Sequence, residues 1–126
     1  LWTDDVRHPT LLVGLDVPRA VLHARIAARA RRMLAGGVVD EVRAVLASGV
    51  PLSHTALMAH GLRELIALVE GRIDRATCER RIVEQTRQYA RRQETWLRRL
   101  PALRVPAGDG AEAAAAAIAD AFAASA

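Results

Sequence analysis

Between Thr86 and Arg98 the chain reads Thr-Arg-Gln-Tyr-Ala-Arg-Arg-Gln-Glu-Thr-Trp-Leu-Arg, a run of guanidinium groups, amides and aromatic rings suited to holding RNA. Wound as an α-helix at about 100° per residue, it puts Arg80, Arg87, Arg91 and Arg98 in a stripe about 40° wide, with Arg81, Arg92 and Arg99 in a parallel row. Cys78, Ile82, Tyr89 and Trp96 fall on the far side, as a core face would. Regularly spaced positive charge suits a partner with regularly spaced negative charge, and a phosphate backbone is that partner. The plain alternative is a solvated face whose arginines pair within the helix with Glu79, Glu84 and Glu94. The distribution of charge favours the first. Residues 1–70 hold 8 Arg against 7 Asp and Glu, residues 71–104 hold 10 against 4, and residues 105–126 hold none against 3. A net charge of +4 thus conceals a local +6. Every basic residue is arginine, whose planar fork matches phosphate, although a GC-rich genome also produces that bias.

A second chemical signal lies in an earlier helix. Leu22, Ile26 and Met33 define an apolar stripe, and Arg29 falls within it. A guanidinium carried into a core costs several kcal/mol unless an anion meets it, which points to a buried carboxylate or a bound anionic ligand. Arg25, one turn earlier, could grip a phosphate or pyrophosphate together with Arg29. The alternative is that Arg29 lays its aliphatic stem along the apolar surface and reaches water. Other chemistries find no support. His8, His23, His54 and His60 lack metal-site spacing, Cys78 has no cysteine partner, and without lysine no phosphate-binding loop of the G-x-x-x-x-G-K-[ST] type is possible.

The elements that must position these groups follow from pattern. Thr10–Leu15 is a short apolar run of the kind that forms a buried parallel strand. Asp16 is the expected N-cap of a helix over about Pro18–Ala35, closed by Gly36 and Gly37. Further helices are expected over Val38–Ser48, over Thr55–Glu70 with Gly61 inside, and over Asp74–Arg99, stopping at Pro101. Leu103–Val105 reads as one more strand, Ala107–Gly110 as a turn and Ala111–Ala126 as an alanine-rich closing helix. Two strands so far apart read as edge contributions to a larger parallel sheet.

Length and composition set the frame. The 126 residues are one domain's worth, 52% hydrophobic but only 3% aromatic, so the core must be built from small aliphatic side chains in closely packed helices. One cysteine excludes an internal disulfide and fits a reducing compartment. No apolar run reaches the length of a membrane span, so a cytoplasmic protein is expected. The chain opens Leu-Trp-Thr-Asp-Asp, which reads as the interior of something longer.

Taken in order, Leu22-His23-Ala24-Arg25-Ile26, Arg29, Met33-Leu34, Gly37, Glu41-Val42, Gly49, Ala59-His60-Gly61-Leu62-Arg63-Glu64, Glu70-Gly71, Thr86-Arg87 and Tyr89 through Arg98 resemble the C-terminal part of the bacterial tRNA dimethylallyltransferase family. The resemblance covers about Leu11 to Val105, and its Arg-Gln-x-Thr-Trp ending is the most specific piece. It implies an α/β fold with a P-loop kinase-like, ATP-type nucleotide-binding core, of which this chain would be the mostly helical C-terminal portion with two strands of the sheet. It implies transfer of a dimethylallyl group from dimethylallyl diphosphate to the exocyclic amine of the adenosine beside the anticodon, on tRNAs reading codons that begin with U, with Mg2+ as cofactor. Arg29 matches the family arginine that stabilises the leaving diphosphate, and Arg25 stands with it as a diphosphate ligand. Met58, Ala59, His60, Gly61 and Arg63 match one tRNA-contact segment. Arg91, Arg92, Gln93, Thr95, Trp96 and Arg98 match a second, joined by Arg87. Gly61-Leu62-Arg63 departs from the usual Gly-Tyr-Arg. The resemblance further implies a cytoplasmic protein, monomeric at full length. The P-loop, the general-base aspartate and the tRNA-gripping insertion have no counterpart here, so the chain is expected to be a fragment without catalysis of its own. A stand-alone basic helical RNA-binding module is the alternative.

Overall fold

The structure, a computed structural model, describes His8 and residues 10–100, 102–107 and 110–125. In chain order the elements are β1 (Val13–Asp16), α1 (Arg19–Ala35), α2 (Val38–Ala47), α3 (His54–Leu57), α4 (Leu62–Val69), α5 (Arg75–Leu97), β2 (Leu103–Pro106) and α6 (Ala111–Ser125). They divide between two units, one formed by residues 22–92 and the other by the described residues before and after that segment. The opening pentapeptide, Pro101 and part of the expected Ala107–Gly110 turn lie outside the described residues.

The unit of residues 22–92 is helical. Its core is Ile26, Ala30 and Leu34 of α1, Val42 of α2, Leu65 of α4, and Cys78, Ile82 and Val83 of α5. In α1 the buried line runs at a spacing of four through Ile26, Ala30 and Leu34, which turns it away from Arg29. The inward position expected for Arg29 is therefore corrected: its side chain is exposed, at the border of the apolar stripe. Gly37, with φ of 98°, separates α1 from α2, and Asp40 and Glu41 favour the positive end of α2. Ser53 caps α3, its hydroxyl oxygen accepting from the Ala56 N–H at 3.1 Å. Asp74 does the same for α5, accepting from the Thr77 N–H at 2.7 Å.

One helix was expected across Thr55–Glu70, and two are found. The break is at Gly61, whose φ of 84° lies in the left-handed region. A Cβ there would come 3.2 Å from Ile82 Cγ1, so glycine lets the loop before α4 press directly on α5. Leu62 then packs against the core. Where the resemblance implies a tyrosine, this chain places an aliphatic packing residue. The core face of α5 is also shorter than its periodicity suggests, because burial stops at Val83. Tyr89 and Trp96, expected inside, are 41% and 48% exposed.

In the other unit β1 and β2 pair in parallel, with Val13 opposite Leu103 and Asp16 opposite Pro106. The strands thus find each other, and among the described residues they form a sheet of two. Asp16 ends β1 instead of capping α1. Its carbonyl accepts from the Ala107 N–H at 2.8 Å, which extends the pairing, and its carboxylate meets Arg104 at 3.1 Å. Val105, Ala107 and Ala114 of α6 form the small core of this unit, with Val13, Val17 and Ile118 against it.

Candidate functional site

Two cavities of the helical unit gather residues expected at a site. The larger, about 470 Å³, has an apolar wall of Leu22, Ile26, Ala30, Met33 and Ile82, and a polar rim of Arg25, Arg29, His60, Thr86 and Tyr89. Arg25 and Arg29 reach it from successive turns of α1, one helical turn apart, so both guanidinium groups serve the same opening. Arg29 has no ion-pair partner among the described residues. An apolar wall with a cationic rim suits an amphiphilic anion, the anionic group outermost. The arrangement keeps Arg29 hydrated while its stem contributes to the wall, so the cost of burying an unpaired charge never arises.

The smaller cavity, about 260 Å³, is formed where the loop before α4 faces α5. Met58, Ala59, His60, Gly61 and Arg63 line it from one side, and Arg92, with Gln85 and Gln88, from the other. Five expected contact residues from the first segment and one from the second are thus brought to one opening. Gln85 Nε2 donates to Glu64 Oε1 at 2.5 Å, tying α4 to α5 beneath it. His60 lines both cavities. Its ring lies 4.6 Å from that of Tyr89, tilted by 56°, and the Arg92 guanidinium carbon sits 5.8 Å from the Tyr89 ring centre on the far helical turn. Arg92, Tyr89 and His60 therefore form a short row in which the cation lies over one ring and the two rings meet at a tilt.

The remaining expected residues do not join these cavities. Arg87 is exposed on α5 with no ion pair among the described residues, and Arg91 is exposed nearby. Gln93, Thr95, Trp96 and Arg98 belong to the unit that holds the strands, where all four are exposed. There Arg98 is bound to Glu94 at 2.6 Å, and that bond chiefly holds the Glu94 carboxyl below its ordinary range. For Arg98 the intrahelical pairing considered from sequence is what the structure contains. Sequence spacing assigned no role to Thr86, Gln88 or Glu64, and placed Tyr89 in the core. The one available signal was that Tyr89 stands three residues before Arg92, on the same helical face.

Among the described residues no group of three His, Cys, Asp or Glu side chains could hold a metal ion. No helix among them is long and apolar enough to cross a membrane.

The arrangement of helices and strands is shared with solved transferases. A tRNA delta(2)-isopentenylpyrophosphate transferase from Staphylococcus epidermidis superposes with a TM-score of 0.72 at 30% identity, over 79% of this chain and 33% of that one. The fold also matches the full-length tRNA isopentenylpyrophosphate transferase of Bacillus halodurans, with a TM-score of 0.81 over 91% of this chain and 38% of that one, at 24% identity. The class is thus an isopentenyl-transferase fold. A model of the IPP transferase family matches residues 2–100, and the chain belongs to that family. A tRNA dimethylallyltransferase of Rhodopirellula baltica is 45% identical over 97 residues, which make up 77% of this chain and 29% of that protein. Its counterpart in Streptomyces coelicolor is 42% identical over 99 residues, 77% of this chain and 31% of the relative. The chain spans less than a third of the length of these two relatives.

Proposed function

We propose that this chain is the C-terminal portion of a transferase that moves a dimethylallyl group from dimethylallyl diphosphate to the exocyclic amine of the adenosine beside the anticodon, on tRNAs reading codons that begin with U. The observation that carries this reading is the pair Arg25 and Arg29 on the rim of an apolar-walled cavity, in a chain matched by the IPP transferase family over residues 2–100. In the transfer a nitrogen–carbon bond forms at the amine, the carbon–oxygen bond to the diphosphate breaks, the diphosphate leaves with the electron pair, and the amine gives up one proton. This chain serves the leaving group. Arg29 is the catalytic residue, its guanidinium meeting the oxygen on which charge builds, and Arg25 holds the same diphosphate. The proton acceptor and the P-loop kinase-like core belong to the rest of the protein, as do the ligands of the magnesium ion. The whole protein acts in the cytoplasm as a monomer.

The test joins this chain to the N-terminal portion of a family member and supplies labelled dimethylallyl diphosphate and tRNA. Label should appear on the adenosine, and Arg29→Ala should lower the rate by about 10²- to 10³-fold, the usual cost of removing one donor to a developing anion. A folded preparation that binds tRNA and transfers nothing overturns the reading. Arg63 and Arg87, exposed and with no ion pair among the described residues, favour a second one, an RNA-binding helical module without catalysis. It predicts binding with no transfer in the same assay.

A further inference from the structure

From Arg91 to Trp96 every residue of α5 is exposed, and then Leu97 is half-buried. What receives it is Gly14, a buried residue of β1. A Cβ on Gly14 would lie 2.9 Å from Leu97 Cδ2, 3.1 Å from Cδ1 and 3.2 Å from Cγ, so the isobutyl group occupies the place that a side chain would take. Gly14 has no positive φ, so a larger residue there is refused by Leu97 and not by the backbone. Val13 turns to the opposite face of the strand, into the core with Val105 and Ala114, which leaves the Gly14 face to the end of α5. Charge supports the same docking. Asp16 and Arg104, bonded at 3.1 Å, belong to that face, two residues beyond Gly14 and directly across from it. The Glu94 carboxyl, lowered chiefly by its bond to Arg98, is lowered further by the charges of Arg19 and Arg104.

We infer that Gly14 is a positioning residue, the socket that seats Leu97 and so fixes the rotation of the last turn of α5. With Leu97 turned toward the strand, helical geometry carries Trp96 and Arg98 about 100° to either side of it and Thr95 about 160° away. Trp96, 48% exposed, is thereby held out on one flank while Arg98 stays beside Glu94 on the other. Without the seat the turn would be free to roll, and the indole would lose its fixed direction. The inference rests on the proposed contact of this segment with tRNA and goes beyond it, since it makes a strand residue that lines neither cavity decide where an RNA-facing ring points.

The experiment is a double-mutant cycle between Gly14 and Trp96, read as affinity of the 126-residue chain for unmodified tRNA among variants that share one circular-dichroism spectrum. Trp96→Ala should weaken binding about tenfold in the unaltered chain, as loss of an aromatic contact with RNA does. Valine suits a strand and adds three carbons to Gly14, which Leu97 must yield to. In Gly14→Val the cost of Trp96→Ala should therefore shrink to less than about twofold, because the ring is already misdirected. Leu97→Ala takes three carbons away, so in Gly14→Val with Leu97→Ala the cost should return to about tenfold. A strand residue needed only for folding would leave the cost of Trp96→Ala the same in every folded variant, and that result overturns the inference while tRNA contact stands. Should Gly14→Val fail to fold, Leu97→Ala alone decides: an emptied socket should reduce the Trp96→Ala cost, and an unreduced cost overturns the inference. A chain that binds tRNA equally well with and without Trp96 overturns it too. If the folded chain binds no tRNA at low salt, the reading beneath it falls as well.

Discussion

Arg29 and Asp74 show how differently two charged side chains can be read from their neighbours. Arg29 falls within an apolar stripe drawn through Leu22, Ile26 and Met33, yet the buried line of α1 passes through Ala30 and Leu34. The choice between them depends on which helices pack against α1, and periodicity carries no such information. The long aliphatic stem lets arginine occupy the border, so its presence in the stripe was a real signal of a cavity edge and a poor one of burial. Asp74 is simpler. Hydrogen bonding to Thr77 holds its carboxyl below the ordinary carboxylate range, with the Arg80 charge a smaller contribution. A group whose folded value is depressed adds stability above its unfolded value, and that stability is lost as pH falls through the folded one. Asp74→Ala should therefore melt earlier than the unaltered chain at about pH 7, and the gap should narrow by about pH 3. Thermal melts followed by circular dichroism check this; a gap independent of pH refutes it.

Among elements, α1, α2, α5 and α6 were legible because glycines follow α1 and α2 and precede α6, and Asp74 caps α5, in the places where helix ends need them. The strands were legible as apolar runs without helical period. Their pairing with each other was not, since register belongs to tertiary structure. The break at Gly61 was missed for a related reason: a single glycine inside a helical pattern costs only about 1 kcal/mol, so it does not by itself announce a turn. What decides the matter is Ile82, twenty-one residues away, against which the glycine backbone rests. Gly61→Ala would force a Cβ into the left-handed region and toward that side chain, and should destabilise the fold by about 1–2 kcal/mol. Chemical denaturation measures it. An unchanged midpoint would mean that the loop before α4 does not need its close approach to α5.

On the scale of the whole molecule, the informative quantity is where charge sits. Of its eighteen arginines, ten lie within residues 71–104, and the last twenty-two residues contain none. Some are neutralised locally, as Arg98 is by Glu94 and Arg72 by Glu70. Arg63 and Arg87 keep exposed guanidinium groups with no carboxylate against them among the described residues. If four such contacts reach phosphate, RNA affinity should fall on the order of a hundredfold between about 50 and 200 mM salt, and Arg87→Ala should reduce the salt slope by about one. An affinity indifferent to salt would remove phosphate contact from the account. The parallel pairing of Val13 with Leu103 has a further consequence, one of timing. A ribosome must release most of this polypeptide before β1 can meet β2, while every residue of the helical segment has by then been made. The stretch from Leu22 to Arg92 can thus begin to collapse as it is synthesised, whereas the pairing of β1 with β2 must wait for the tail to emerge.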